Sequence, residues 1–555
     1  MFFLIVFLKK NNFLMVNETN SNYFNRNLFL KQTKEFSKPW DVIVIGGGAT
    51  GLGVALDASS RGYKTLLLEQ ADFANGTSSR STKLAHGGVR YLAQGNISLV
   101  NEALVERGLM IKNAPHLVKM LPFIIPSYHW WEKGFYGLGL KIYDWMARKF
   151  RLNKTKLIST KSVHEFMPQL KVKGLKGGVL YYDGQFDDAR LAVNLAQTCA
   201  ERGGVLLNYI KVYKLKKNEE GIISGVIARD LLNDEELDLN SNVVINATGV
   251  FVDDILGMNA VIKTPMIKVS QGIHLVLDNS FFKGDHALMI PSTTDGRVLF
   301  AVPWHGHVLV GTTDTPRNSI SLEPIALKSE ISFVLETIGS YLEKKPTEKD
   351  VLSVFAGLRP LVMPSKEKGT KKISRDHKLF TSSSKLITIT GGKWTTYRKM
   401  AEDTIDEAIN IGNLEKRPCV TQTLKIHGYK KPKKLFHYLD IYGSDAPLIQ
   451  GLACDVVELR EKIHPTFPNI KAEVVWAVRN EMAMTIEDVL ARRLRILFLN
   501  AKVAIEMAPE VARLMAMELK YDETWQEAQI KSFTKVAHNY LTVPYNLKPS
   551  NISTI

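Results

Sequence analysis

A chain of 555 residues, 45% hydrophobic and 23% charged, is long enough for two or three domains and a large buried core, with the composition of a soluble globular protein. Its three cysteines, Cys199, Cys419 and Cys454, are far apart and form no C-x-x-C pair, which argues against a disulfide framework and a zinc site and makes a reducing compartment the default. No apolar run reaches the roughly 20 residues needed to span a bilayer, and the net charge of +16 suits an anionic membrane surface, a nucleic acid or a phosphorylated substrate.

The opening apolar run Met1–Leu8 is followed, not preceded, by Lys9 and Lys10, so it lacks the order of a secretory signal. Residues 1–37, rich in Asn and Lys, are expected to form a poorly ordered tail, with translation expected to begin at Met15.

The most informative segment comes next. Asp41–Ile45 is short and β-branched, as in a buried parallel strand. Gly46-Gly47-Gly48-Ala49-Thr50-Gly51 follows, then a helical stretch to Arg61 that stops at Gly62, then a second strand, Lys64 to Leu68, ending in Glu69. This is the pattern of a dinucleotide site. Gly46 permits the turn, Gly48 lets a pyrophosphate approach the backbone, and Gly51 allows close helix–strand packing. The helix N-terminus offers free N–H groups to phosphate, and Glu69 stands where ribose hydroxyls are bound.

Asn75 to Leu92 is dense in glycine and small hydroxyl residues and follows where an extended cofactor would continue. Trp130 to Arg151 mixes aromatic with basic residues, and reads either as a membrane-interface helix or as one packed on the protein body. Val243–Gly249 is another β-branched strand ending in small residues, which should return to the first sheet. Residues 261–313 carry repeated short strand signals, as in an antiparallel sheet. Leu386–Tyr397 repeats strand, glycine pair, helix. Beyond about Lys430 the pattern is helical: Thr485-Ile486-Glu487-Asp488 reads as a capping box with Asp in the reciprocal position, and Pro509 as the start of another helix. The expected domains are 38–429, a cofactor domain with an interleaved substrate domain, and 430–545, all helical, with a tail over 546–555.

Five pieces carry a family resemblance: Asp41–Gly48, Ser81–Leu92, Gly357-Leu358-Arg359-Pro360, Ser374-Arg375-Asp376-His377 and Gly391–Arg398. With Thr485–Arg493 from the helical part, they resemble the FAD-dependent glycerol-3-phosphate dehydrogenase family, within the D-amino-acid-oxidase-like flavoproteins. The resemblance covers roughly residues 39–545. One departure is Phe251, where related sequences often carry Trp. The resemblance implies an α/β Rossmann-type FAD-binding domain, an inserted antiparallel-sheet substrate domain and an all-α C-terminal domain. It implies oxidation of sn-glycerol 3-phosphate to dihydroxyacetone phosphate by hydride transfer to FAD, with electrons passed to membrane quinone. It also implies a cytoplasmic protein held peripherally on the inner face of the cell membrane, with an anionic lipid surface as partner for the positive charge. A homodimer is compatible with it, and no nucleic acid or metal is required.

The residues it implicates in FAD binding are Gly46, Gly48, Gly51, Glu69, Thr77, Ser78, Ser81, Lys83, Leu84, His86, Gly87, Gly88, Val212, Ala247, Gly249, Gly391, Gly392, Lys393, Trp394 and Thr395. Hydride removal from a secondary alcohol needs a base for the hydroxyl proton and a cation for the negative charge left on the reduced ring. A phosphate adds the need for a bidentate cationic clamp. By motif match, Arg359 and Arg375 are assigned to the phosphate and the developing oxyanion, Arg90 and Tyr91 to the same pocket, and Lys393 to the ring's charge. His274, after Val269-Ser270-Gln271-Gly272 on an expected strand, is the leading candidate base, with Lys393 or an arginine-activated water as the alternative. A glycerol-3-phosphate oxidase, with oxygen as acceptor, is the nearest rival reading. An RNA-modifying flavoprotein would use the positive charge, but no RNA-binding motif accompanies it.

Overall fold

The β-branched run near the N-terminus forms the central strand Trp40–Ile45, paired in parallel with Thr65–Leu68 on one side and Glu236–Asn246 on the other. The computed structural model describes residues 24–88, 92, 95–261, 264–293, 296–363, 377–431 and 437–543. Val205–Leu207 extends this sheet beyond Thr65–Leu68. Ile387–Thr390 and the antiparallel Lys378–Thr381 extend it at the other edge, beyond Glu236–Asn246. A hairpin, Ile210–Lys217 with Ile223–Asp230, hangs from Glu236–Asn246. Burial on both faces explains why the central segments Val42–Ile45, Leu66–Leu68 and Val243–Ile245 read as unbroken Val, Ile and Leu runs.

A second sheet, of ten strands among the described residues, is almost wholly antiparallel. Its long strand Ile267–Asp278 pairs with Thr315–Arg317, His307–Gly311 and Val351–Val362. The far half is built on Val118–Pro126 and Gly178–Phe186. This is the inserted antiparallel sheet expected from residues 261–313.

Helices dominate from Tyr438 to His538. Their core includes Val276, Trp304, Leu309 and Phe355, so this part packs on the second sheet. Buried ion pairs tie it to the rest. Asp72 accepts from Arg492 at 2.5 Å and Arg493 at 2.6 and 2.9 Å, Arg495 reaches Asp188 at 2.9 Å, and Arg190 pairs with Glu481. The capping box expected at Thr485 is present, Asp488 accepting from the Thr485 N–H at 3.0 Å while the Asp488 N–H donates to Thr485 Oγ1 at 3.2 Å. Pro509 does not begin a helix; it lies inside Ala501–Leu519. The missing N–H removes one helical bond, but the buried face formed by Val503, Ala504, Met507, Ala508, Val511 and Ala512 holds the helix together across it.

Part of the segment read as tail is folded. Arg26–Glu35 is a helix capped by Asn25, with Phe29 and Leu30 buried and Arg26 paired to Asp230 at 2.7 Å. The apolar positions at helical spacing are masked in the sequence by the surrounding Asn and Lys. Met15 lies outside the described residues. Among the described residues no helix is long and apolar enough to cross a membrane.

Candidate active site

One cavity of about 870 Å³ runs from the glycine turn after the first strand to the long strand of the second sheet. That is the upper range for small-molecule sites and accommodates an extended dinucleotide. Its nucleotide end is built by Gly46, Gly48, Glu69, Thr77 and Ser78, with Val212, Ala247 and Gly249 opposite. A Cβ at Gly51 would meet the Gly46 carbonyl oxygen at 1.8 Å, so only glycine lets the helix Ala49–Ser60 start this close to the strand. Gly46 has φ +108, open to glycine alone at this turn. At Gly249, φ is +60 and no atom lies within 4 Å of an added Cβ, so its backbone stands bare to the cavity.

Glu69 ends the second strand as expected. Its carboxylate accepts from the Gly47 N–H at 2.5 Å and the Ala71 N–H at 2.8 Å. Burial raises its pKa against these two bonds. Two backbone donors leave lone pairs for ribose hydroxyls. The donor set, the bare glycines and the cavity's length fit FAD.

Gly391-Gly392-Lys393 forms the middle of the wall. Gly391 and Gly392 have φ +79 and +70, and Lys393 caps the short turn Trp394–Thr396 that leads into the helix Tyr397–Ile411. Trp394 Nε1 donates to the Ser78 carbonyl at 2.7 Å, clasping the two cofactor loops together. The His86 N–H donates to Thr395 Oγ1 at 3.3 Å. Ser81, Leu84, His86 and Gly88 also line the cavity, as does Phe251.

His274 and Arg359 stand at the other end, on neighbouring strands in antiparallel register, Ser270 opposite Arg359 and His274 opposite Phe355. Arg359 donates to Thr312 Oγ1 at 2.7 Å and to the Thr313 carbonyl at 2.9 Å, with Asp314 at 3.5 Å. His274 is 2% exposed, stacks on Phe355 at 5.1 Å, and its Nε2 is 2.9 Å from Thr82 Oγ1. Burial, then the charges of Lys83 and Arg359, hold its pKa well below the usual histidine value. The imidazole is therefore neutral at physiological pH.

Lys83 differs from expectation. It does not line the cavity; its ammonium is fully buried on Asp188 at 2.6 Å and the Ser79 carbonyl at 2.6 Å, among the rings of Trp304, Phe355 and Phe498. Burial pushes it down to about 7 against the opposing pull of Asp188. A left-handed backbone, φ +63, turns it away from its neighbours Thr82 and Leu84. Gly87 also lies behind the wall. Its N–H donates to Tyr143 Oη at 2.7 Å, and an added Cβ would meet that oxygen at 2.6 Å. Arg90, Tyr91 and Arg375 lie outside the described residues. Thr312, Thr313 and Gly272 escaped sequence reading, although Gly311-Thr312-Thr313-Asp314 is a small polar turn ending a strand signal.

Residues 41–398 match the model of the FAD dependent oxidoreductase family, and residues 382–526 match the C-terminal domain of alpha-glycerophosphate oxidase. A mitochondrial glycerol-3-phosphate dehydrogenase of Arabidopsis thaliana is 40% identical over 538 residues, covering 89% of this chain and 85% of its own length. The Homo sapiens mitochondrial glycerol-3-phosphate dehydrogenase is 38% identical over 542 residues, covering 92% and 74%. The chain belongs to the FAD-dependent glycerol-3-phosphate dehydrogenase family. Among solved structures, the glycerol-3-phosphate dehydrogenase of Bacillus halodurans, complexed with FAD, superposes with a TM-score of 0.76 at 29% identity, covering 95% of this chain and 100% of that one. As a member of this family the chain is an enzyme with FAD as its cofactor, and the glycine turns, Glu69 and Trp394 line the cavity whose length fits it.

Proposed function

We infer that this enzyme oxidises sn-glycerol 3-phosphate to dihydroxyacetone phosphate and passes the electrons to a membrane quinone. The observation that carries the reading is the pairing of one cation and one neutral imidazole, Arg359 and His274, at the substrate end of a cavity whose other end is built for a dinucleotide. The C2–H bond breaks with its electron pair, the hydroxyl O–H gives up its proton, and the C=O bond forms. FAD, when bound, supplies the hydride acceptor. Arg359 is held by Thr312 and the Thr313 carbonyl, and its guanidinium, at the cavity wall, binds the phosphate. The resemblance adds Arg375 to that clamp and puts Arg90 and Tyr91 beside it. His274 takes the hydroxyl proton. A weak base suffices, because a hydroxyl on a carbon losing hydride becomes strongly acidic as the step proceeds. Lys393, at the cofactor wall, offsets negative charge there.

Attachment to the membrane is read as peripheral, from the cytoplasmic side of the cell membrane. The +16 charge supports it. The names of the two relatives place those proteins in the mitochondrion, and fractionation of native cells decides which membrane carries this one.

A second reading has a specific observation behind it: residues 382–526 match the C-terminal domain of an oxidase. Holoenzyme given glycerol 3-phosphate in air, and a soluble quinone analogue under argon, separates the two. Quinone reduction with little hydrogen peroxide is expected; peroxide equal to product would make it an oxidase.

A further inference from the structure

Helix Glu132–Met146 has two apolar faces, and among the described residues only one is covered. Leu140, Tyr143 and Met146 are buried against the strands Val118–Pro126 and Gly178–Phe186. On the opposite side Trp131, Phe135, Leu138, Ile142 and Trp145 recur at intervals of four and three, which makes one continuous stripe. All five are exposed: Leu138 is 64%, Phe135 63% and Trp145 75% accessible, and Trp130 beside them is 87%. A soluble surface scatters its large apolar residues singly; five aligned along one helix mark a contact surface.

The charge around the stripe says what covers it. Residues 130–156 hold seven Lys and Arg against two acids. Both acids are occupied locally. Glu132 accepts from the Tyr128 and His129 N–H groups at 2.8 and 3.0 Å, and Asp144 accepts from the Thr155 N–H at 2.6 Å. Lys141, Arg148, Lys149 and Arg151 are exposed and rim the helix. A second copy of the chain laid on the same surface by a two-fold axis would set this rim against itself, a like-charge contact. An anionic lipid surface meets both needs, with tryptophans at headgroup level and lysines on the lipid phosphates.

We propose that helix Glu132–Met146 is the membrane-docking element, lying in the plane of an anionic bilayer with the Trp131–Trp145 stripe inserted. The proposal rests on the reading of a membrane quinone as acceptor and names the surface that reading needs. On the buried side of the same helix, Tyr143 Oη donates to Asp183 at 2.7 Å, and Asp183 and Tyr181 line the cavity. The docking face and the cofactor wall are thus opposite sides of one helix-on-sheet layer.

The test is flotation of full-length holoenzyme with phosphatidylcholine vesicles, with and without phosphatidylglycerol. Wild type is expected to float with the anionic vesicles and to release at high salt. The triple variant F135S/L138S/W145S is expected to lose at least about tenfold in partitioning, since three inserted side chains are removed. The pair K141E/K149E should lose a similar amount on anionic vesicles only. Flavin absorbance and activity with a soluble dye should be unchanged in both, which shows that they fold. If wild type does not bind anionic vesicles, both the membrane reading and this surface fall. If wild type and both variants bind alike, this surface is wrong and the membrane reading stands. A lipid-free wild-type oligomer that dissociates in the triple variant would make the stripe a protein interface and overturn the proposal.

Discussion

Gly272 leaves the space that Arg359 fills. A Cβ built on Gly272 falls 2.0 Å from Arg359 Nη2 and 2.5 Å from Thr312 Oγ1. The two residues sit on adjacent strands, Gly272 facing Gly357 in the ladder, and the guanidinium lies across the glycine to reach the threonine. The strand must lack a side chain there for the cation to be aimed into the cavity.

G272A should therefore act as a substrate-site variant. The atom in the way is the end of a flexible side chain, so the strand should hold and the guanidinium should swing aside. KM for glycerol 3-phosphate is expected to rise roughly 10- to 100-fold, the worth of a charge-assisted contact of about 1.5–3 kcal/mol. R359A should match or exceed it, and R359K should recover little, because lysine lacks the two-pronged donor. Steady-state kinetics with FAD content measured in parallel checks this; an unchanged KM in R359A would remove the clamp.

His274 should slow the reductive step without releasing FAD. H274A is expected to lower the flavin-reduction rate by about 10²- to 10⁴-fold, the usual range for a general base. Its pKa is held well below the usual histidine value, so the neutral form persists as pH falls through the ordinary histidine range. At saturating substrate, wild-type reduction should show no loss of rate between pH 8 and about 6.5, the unperturbed histidine value. Stopped-flow rates over that range check it, and a limb centred there would assign the proton to another group.

Asp72 should be a stability hinge between the cofactor and helical parts. It is fully buried with Arg492 and Arg493, whose charges together hold its carboxyl below the ordinary value despite burial. D72A removes the carboxylate that Arg492 and Arg493 share; Arg492 keeps Glu487 and Asp488 and Arg493 keeps Glu481, so the loss should fall towards the lower end of the roughly 3–5 kcal/mol of a broken buried pair. Thermal unfolding followed by flavin release should shift down sharply, and a wild-type midpoint would contradict the pairing.

His427 joins the same two parts and should make stability depend on pH. Burial opposes its charge, but Asp445 at 2.7 Å and Glu201 at 2.6 Å outweigh burial and raise it to about 9. A raised folded value stabilises fully below the unfolded value of 6.5 and fades as pH rises through about 9. Wild type should lose its advantage over H427N across that window; parallel melting curves would refute it.

The first sheet was legible because its signals are local. Gly46, Gly48 and Gly51 with Glu69 announce a turn, a helix start and a carboxylate within thirty residues. The capping box at Thr485 was legible for the same reason. The helix Arg26–Glu35 was not, since its stability comes from Phe29 and Leu30 meeting a distant core and from Arg26 reaching Asp230. Lys83 shows the limit of motif reading. It sits inside a cofactor motif, yet Asp188, 105 positions away, draws it behind the wall. Gly272 and Thr312 were invisible for the converse reason: only the strand pairing brings them to Arg359.

Anaerobic titration of the purified yellow holoenzyme with glycerol 3-phosphate tests the central claim most directly. The flavin absorbance should bleach with one dihydroxyacetone phosphate formed per flavin, and R359A should need far more substrate to reach the same end point. A wild-type flavin that stays oxidised at saturating glycerol 3-phosphate would contradict the account.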